Sequence, residues 1–110
     1  MFCADISAPI VNAFNSGSID STPVNAGETL ATGLNVPGGV GHFKVLDIIS
    51  KSGGVAIAVN EKSISDNLSY TYKTIGMWIC PEGAATLAAL ERAVENGIIK
   101  PHEKVVAFNT

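Results

Sequence analysis

Four apolar runs of the sequence are followed by polar side chains that could bind a ligand or move a proton. These side chains are Ser7, Asn60, Glu82 and the pair Asn109 and Thr110. Hydroxyls and amides exchange hydrogen bonds with a ligand, and a carboxylate can also act as an acid or a base. Because ligands of open α/β sheets bind beyond the carboxyl ends of the strands, the sequence predicts a site at that edge.

Some of these features also have a purely structural explanation. Asn60 fits a helix N-cap better than a ligand, since its side chain can accept a hydrogen bond from a free backbone N–H. Glu82 falls in the first turn of a predicted helix, where the helix dipole stabilises a carboxylate. The glycine-rich residues 38–41 precede a helix and could present N–H groups to an anion. They lack the third glycine of a dinucleotide fingerprint and do not directly follow a strand, which favours a flexible turn.

Other common chemistries lack their residue sets. His42 and His102 have no cysteine or histidine at metal-ligand spacing, so we predict no metal site. No Gly-x-Ser-x-Gly elbow occurs, and neither Cys3 nor Cys80 has a nearby histidine or basic residue in sequence to activate a thiolate. We expect both cysteines to be reduced and structural, and His102 to lie in an exposed loop.

Composition limits the partners of the chain. Its 110 residues are 46% hydrophobic and 15% charged, with a net charge of −3, which predicts one compact domain and argues against disorder. Without a basic cluster to neutralise phosphates, we expect no nucleic-acid partner. The longest apolar runs fall far short of the roughly 20 residues of a membrane helix. No secretory signal is recognisable either, so we expect no membrane partner and a cytoplasmic location.

Hydrophobic periodicity and turn residues predict four helices and four strands. The predicted helices are residues 8–14, 43–52, the segment between Asn60 and Gly76, and 81–96. The predicted strands are residues 1–6, 55–59, 77–80 and 104–108. Alternation of strand and helix from residue 55 to 108 predicts an α/β fold, an open parallel sheet with helices packed on it. Because so few helices cannot cover both faces of such a sheet, we interpret residues 1–110 as a single partial domain, with both ends cut from something larger.

Five segments of the chain resemble a known enzyme family. They are ETLATGL at residues 28–34, SGGVAIAV at 52–59, CPEGAATLAAL at 80–90, ENGII at 95–99 and VVAFNT at 105–110. In order and spacing they resemble the C-terminal part of the threonine synthases, within the fold-type-II pyridoxal-phosphate (PLP) enzymes. The resemblance covers nearly the whole of this chain, but this corresponds to only about the last third of a complete enzyme. It implies the C-terminal part of the large domain of that family.

The resemblance implies contacts with the cofactor. Thr110 matches a family position whose hydroxyl faces the pyridine nitrogen of PLP, where a neutral group leaves that nitrogen largely unprotonated. A threonine there, rather than a serine, favours the threonine synthases. Ala31, Thr32 and Gly33 match a segment that lines one face of the ring, where small residues let the backbone come close. A simple helix start explains these three residues equally well.

The resemblance also shows where this chain departs from the family. Many relatives carry Glu-Pro where it has Cys80 and Pro81, and Glu82 does not replace the missing carboxylate in register. In the enzymes of this family, the Schiff-base lysine, the phosphate cradle and the asparagine at the ring oxygen lie far upstream, in a region that this chain does not represent. Six lysines match no Schiff-base motif: Lys44, Lys51, Lys62, Lys73, Lys100 and Lys104. No catalytic residue is therefore assigned, and we expect no turnover by this chain alone.

The function that the resemblance implies is that of a threonine synthase segment. The complete enzyme converts O-phosphohomoserine and water to threonine and phosphate with PLP. One alternative is a segment of a threonine or serine dehydratase of the same family. The other is a non-catalytic α/β module that pairs with itself or a partner through sheet edges and apolar faces.

Overall fold

The structure, a computed structural model, describes residues 1–110 and contains two strands and four α-helices. In chain order its elements are β1 (Phe2–Ala4), a 3-10 turn (Asp5–Ser7), α1 (Pro9–Ser16), a second 3-10 turn (Thr32–Leu34), α2 (His42–Ser52), β2 (Ile57–Val59), α3 (Glu61–Ile75) and α4 (Pro81–Glu95). All four predicted helices are present, and together with the two strands they confirm the α/β class.

The two strands form a parallel sheet. Phe2 lies opposite Ile57, Cys3 opposite Ala58, and Ala4 opposite Val59. The connection between the strands runs through α1 and α2, as a parallel pair requires a long crossover. The predicted parallel sheet is confirmed, and its two strands are β1 and β2.

Helices cover both faces of this small sheet. Side chains of successive strand residues point to opposite faces. Cys3 and Ala58 therefore pack into one core with α1 and α2, whereas Phe2 and Ile57 pack against the core of α3 and α4. The largest fully buried side chain, Ile64 of α3, lies in this second core. The result is a three-layer arrangement, with the α3 and α4 pair against one side of the strands.

The helix ends follow local signals in the sequence. The Asn60 side chain accepts a hydrogen bond from the Ser63 N–H at 2.8 Å and caps α3, so its predicted role as a helix cap is confirmed. Gly53 and Gly76 end α2 and α3 in the left-handed conformation, with φ of +66° and +67°. Only glycine adopts this backbone without strain, which is why the helices stop there.

Two of the predicted strands are wrong. Residues 77–80 and 104–108 have no strand structure, and Trp78 and Val106 are 81% and 82% exposed. A strand needs a neighbour for its backbone N–H and C=O groups, and neither segment has one. On β2 the guanidinium of Arg92 donates to the carbonyl of Ala58 at 2.8 Å, so a side chain takes this backbone acceptor. The βαβαβ order predicted from residue 55 to 108 is therefore not formed.

The two free cysteines have different environments. Cys3 is buried in the first core, as predicted for a structural thiol, and burial together with the Asp5 carboxylate raises its pKa to about 11. Cys80 is half-buried and is not in a strand. It is the residue immediately before α4. No helix has the length and the apolar character needed to cross a membrane.

Candidate functional site

Three distant segments meet at the N-terminus of α4. They are residues 30–33, the first turn of α4 with its cap at residues 80–83, and the C-terminal pair Asn109 and Thr110. The segment of Leu30, Ala31, Thr32 and Gly33 is called the 30–33 segment below. The fold therefore brings Gly33 and Thr110, two residues matched to cofactor contacts, to the same helix end.

Cys80 fastens the C-terminus to α4. Its Sγ accepts the backbone N–H of Gly83 at 3.3 Å, which satisfies one of the free donors of the first helical turn. Its thiol lies 3.0 Å from the carbonyl oxygen of Thr110 and 3.6 Å from Oδ1 of Asn109. Thr86 adds a hydrogen bond of 3.3 Å to the carbonyl of Phe108. The last three residues are therefore held along the start of α4.

Glu82 connects the same helical turn to the 30–33 segment. Its Oε1 accepts the backbone N–H of Gly33 at 2.9 Å. This bond, followed by that of its own backbone N–H, lowers the pKa of the Glu82 carboxyl, and the Cys80 thiol adds a smaller effect in the same direction. Burial raises the pKa of the same carboxyl, but this effect is smaller than the lowering by the hydrogen bonds. Glu82 is therefore held in its charged form with its acceptor directed at the backbone of Gly33.

Glu61 binds the other end of the 30–33 segment. Its Oε2 accepts the N–H of Leu30 at 2.8 Å from the first turn of α3. Between the two carboxylates, Ala31 is completely buried in the core that α3 and α4 share. The segment thus crosses from the start of α3 to the start of α4. Within the segment, Ala31 is directed into the core, and Thr32 and Gly33 are exposed.

Two glycines allow close approach at this helix end. A Cβ at Gly33 would lie 3.0 Å from Oε1 of Glu82, closer than most real Cβ contacts. A Cβ at Gly83 would overlap the amide oxygen of Asn109. Both the 30–33 segment and the C-terminal pair can therefore pack on α4 because a side chain is missing at the point of contact.

The other residues singled out in the sequence lie elsewhere. Ser7 follows β1 and is buried, and its hydroxyl has no hydrogen-bond partner. Gly39 packs against the ring of His42, and Gly41 has a φ of +97° at the start of α2. Residues 38–41 thus form a turn, in agreement with the preferred interpretation. His102 is exposed, as predicted.

Sequence reasoning missed three contacts. The hydroxyl of Ser21 pairs with Nδ1 of buried His42, and no local pattern joins these residues. The roles of Glu61 and Cys80 were also missed. Glu61 follows directly after a recognised cap residue, and Cys80 directly precedes a proline at a helix start. Those positions were the available signals, since N-terminal helix turns attract acceptors.

All six lysines of the chain are exposed. Lys51 forms an ion pair of 2.7 Å with Asp47, and Lys62 forms one of 2.5 Å with Asp66, each one helical turn away. None of the hydrogen bonds at the start of α4 involves a lysine. The structure thus adds no support for a Schiff-base lysine among them.

Solved structures contain a similar fold. The T.th. threonine deaminase superposes with a TM-score of 0.68 at 18% sequence identity, over 91% of this chain and 34% of that one. An identity this low supports the fold alone. The small parallel sheet and its four helices therefore match part of a larger enzyme.

Sequence comparison with curated proteins finds threonine synthases. Those of Methanocaldococcus jannaschii and Methanosarcina acetivorans are each 35% identical over 107 residues. The match covers 97% of this chain and 26% of each archaeal relative. Threonine synthase 2, chloroplastic, from Arabidopsis thaliana is 26% identical over 103 residues, which are 93% of this chain and 20% of that protein. The chain spans about a quarter of the length of the archaeal relatives.

The family comparison covers almost every residue. Residues 3–110 match the family described as pyridoxal-phosphate dependent enzyme. This range includes β2, all four helices, most of β1 and the three segments that meet at the start of α4. The chain therefore belongs to the pyridoxal-phosphate-dependent enzyme family.

Proposed function

We propose that residues 1–110 are one partial α/β domain, the C-terminal segment of a threonine synthase, and that they supply one wall of its PLP site. The observation that carries this proposal is the meeting of Gly33 and Thr110 at the N-terminus of α4. The archaeal relatives at 35% identity, both threonine synthases, support this branch over the dehydratases. The substrate would be O-phosphohomoserine, and the compartment would be the cytoplasm.

The residues at the start of α4 fit a pyridine ring. Thr110 is exposed, its carbonyl is engaged by Cys80, and its hydroxyl makes no hydrogen bond within the chain. A hydroxyl can donate to the pyridine nitrogen without giving it a full proton, since its own proton is held tightly. Ala31 is fully buried in the core that α3 and α4 share, and Thr32 and Gly33 bring exposed backbone and small side chains to the same helix end. Together they suit one edge and one face of a flat ring.

Bound PLP supplies an electron sink for carbanion chemistry. In the proposal, the residues of this chain bind and orient that ring. Thr110 holds a hydrogen bond at the pyridine nitrogen, and the 30–33 segment sets how closely the backbone approaches the ring face. Lysine chemistry comes from outside residues 1–110, so we expect the isolated chain to be inactive.

A titration of the purified chain with PLP tests whether the chain is only one wall of the site. Borohydride reduction followed by peptide mapping would locate any covalent attachment. We expect slow attachment scattered over exposed lysines, as for solvated amines. Saturable attachment to a single lysine would show a complete site in this chain and would overturn the proposal.

A chimera tests the reaction. The matched residues of the Methanocaldococcus jannaschii threonine synthase would be replaced by residues 3–110 of this chain, with circular dichroism to confirm folding. We expect the chimera to retain PLP and to release threonine and phosphate from O-phosphohomoserine. In the matched Thr110→Ala chimera we expect an altered PLP absorption spectrum and a lower rate. A folded chimera that retains PLP but deaminates threonine instead would favour the dehydratase alternative.

One observation favours the association alternative. A largely apolar groove of about 320 Å³ runs beside the sheet and α4, between the start of the chain, the middle of α4 and residues 98–108. Its lining includes the exposed side chains of Ile98, Val106 and Phe108. Exposed apolar surface of this kind is typical of association. Light scattering after size exclusion would test it, because a monomer at high concentration would argue against self-association.

A further inference from the structure

The Glu82 carboxylate reaches beyond its own helix. A residue in the first turn of α4 can interact with the free N–H groups of that helix through charge alone. Glu82 instead also places Oε1 at 2.9 Å from the N–H of Gly33, a residue 49 positions earlier in the chain. The contact therefore joins two separate segments and is not explained by helix capping.

Glu61 makes the equivalent contact at the neighbouring helix. It also lies in a first helical turn, and its Oε2 lies 2.8 Å from the N–H of Leu30. The two carboxylates accept backbone N–H groups that are three residues apart on the same segment. Ala31 lies between them and is fully buried, so the segment is held at both ends and from below.

We propose that Glu82 is a positioning residue for the 30–33 segment. With Glu61, it sets the distance between Gly33 and the first turn of α4, where Cys80 holds the backbone of Thr110. The inference rests on the proposed function, in which the 30–33 segment and Thr110 contact the same ring. Glu82 would act on the cofactor only through the backbone it holds.

The charge on Glu82 is part of this role. Hydrogen bonds to a charged acceptor are about twice as strong as neutral ones. The N–H of Gly33 donates to the Glu82 carboxylate at 2.9 Å, and the nearby N–H of Glu82 itself and the Cys80 thiol also favour the charged form. Neither of the two ion pairs of the chain includes Glu82. Protonation of the Glu82 carboxyl should therefore weaken the contact with Gly33.

Amide NMR on the isolated chain tests the contact directly. The Gly33 amide shift would be followed as pH is lowered. We expect it to titrate with a midpoint below 4.5, the ordinary value of a glutamate. If the Gly33 amide does not respond, or responds only at or above that value, the proposed contact with charged Glu82 is absent in solution.

Three variants separate charge from reach. In Glu82→Gln the acceptor becomes neutral, and we expect exchange of the Gly33 amide hydrogen to be about tenfold faster. In Glu82→Asp the charge remains but the side chain is one methylene shorter, and we expect a similar increase. Glu95→Gln, in the last turn of the same helix, is the matched control and should exchange as the original chain does. If Glu82→Asp behaves as the original chain, the helix dipole alone suffices and the positioning role is refuted.

The same substitutions in the chimera connect the contact to the cofactor. Glu82→Gln is expected to weaken PLP binding several-fold, whereas Glu95→Gln leaves it unchanged. Equal PLP affinity in both variants would overturn the positioning role. The NMR measurements contain no cofactor, so a Gly33 amide that titrates as expected in a chain whose chimera binds no PLP would refute the proposed function and leave the contact standing.

Discussion

Replacing Gly83 by alanine should displace Asn109 and Thr110 from α4 without destabilising the helix. Gly83 is buried in the first turn of α4, and a Cβ there would overlap the amide oxygen of Asn109. Asn109 is exposed and the atom is the end of its side chain, so Asn109 moves rather than the helix. Its displacement should also break the neighbouring bond between the Cys80 thiol and the carbonyl of Thr110.

The two energetic effects of Gly83→Ala nearly cancel. Alanine is more favourable than glycine within a helix by up to about 1 kcal/mol. The lost thiol bond is an exposed, weak hydrogen bond and contributes about 0.5 kcal/mol. We therefore expect the unfolding free energy to change by less than about 1 kcal/mol and the melting temperature to change by less than about 6 °C.

Alkylation of Cys80 provides the assay. Cys3 is buried and its pKa is raised to about 11, so at neutral pH almost none of it is thiolate and it reacts slowly. Intact mass and peptide mapping would then report Cys80 alone. Breaking a contact of about 0.5 kcal/mol corresponds to a rate increase of about twofold, and release of the tail that covers the sulfur adds to it.

The matched control is Gly53→Ala, at the end of α2. There φ is +66° and a Cβ has free space, so alanine is strained and should lower stability without changing Cys80 alkylation. An unchanged alkylation rate in Gly83→Ala would refute the reasoning, because the tail would then not depend on the missing side chain. A large drop in melting temperature would also refute it, because the Cβ would then disturb the packed helix.

Three further predictions concern the core, a helix cap and acid stability. Ile64→Ala should lower the unfolding free energy by about 2–5 kcal/mol in urea titrations, because Ile64 of α3 is completely buried in the second core. Asn60→Ala should lower the free energy by about 1 kcal/mol, since it removes the acceptor for the Ser63 N–H, and Asn60→Asp should largely restore it. The lowered pKa of Glu82 stabilises the folded chain above pH 4.5, and this stabilisation is lost as pH falls through the folded value. Glu82→Gln should therefore reduce the acid dependence of the urea midpoint, and an unchanged dependence would contradict the contact with Gly33.

The helices could be predicted from the amino-acid sequence alone. Each of them begins or ends with a residue whose effect is local, such as Asn60 before α3 and Gly53 after α2. Their apolar stripes have a helical period that can be recognised without knowing the rest of the fold. The continuous apolar run at residues 55–59 likewise indicated a buried parallel strand, and β2 forms within it.

Tertiary packing selected which apolar runs became strands. Residues 1–6, 55–59, 77–80 and 104–108 are all rich in apolar residues, yet only the first two contain a strand. A strand is stable only beside a partner that satisfies its backbone groups, and the identity of that partner is not written in the run itself. For this reason Trp78 and Val106 are exposed although their segments are apolar.

Identifying the candidate site required both the family resemblance of the sequence and the tertiary structure. Family resemblance pointed to Thr110 and to Ala31, Thr32 and Gly33, but no spacing in the sequence indicated that these positions meet. The contacts that join them, from Glu82 to Gly33 and from Cys80 to Thr110, span 49 and 30 residues. Helix caps depend on neighbours within one turn, whereas these contacts exist only once α3, α4 and the sheet have packed. Local sequence therefore specified the helices, and long-range packing decided what their N-termini hold.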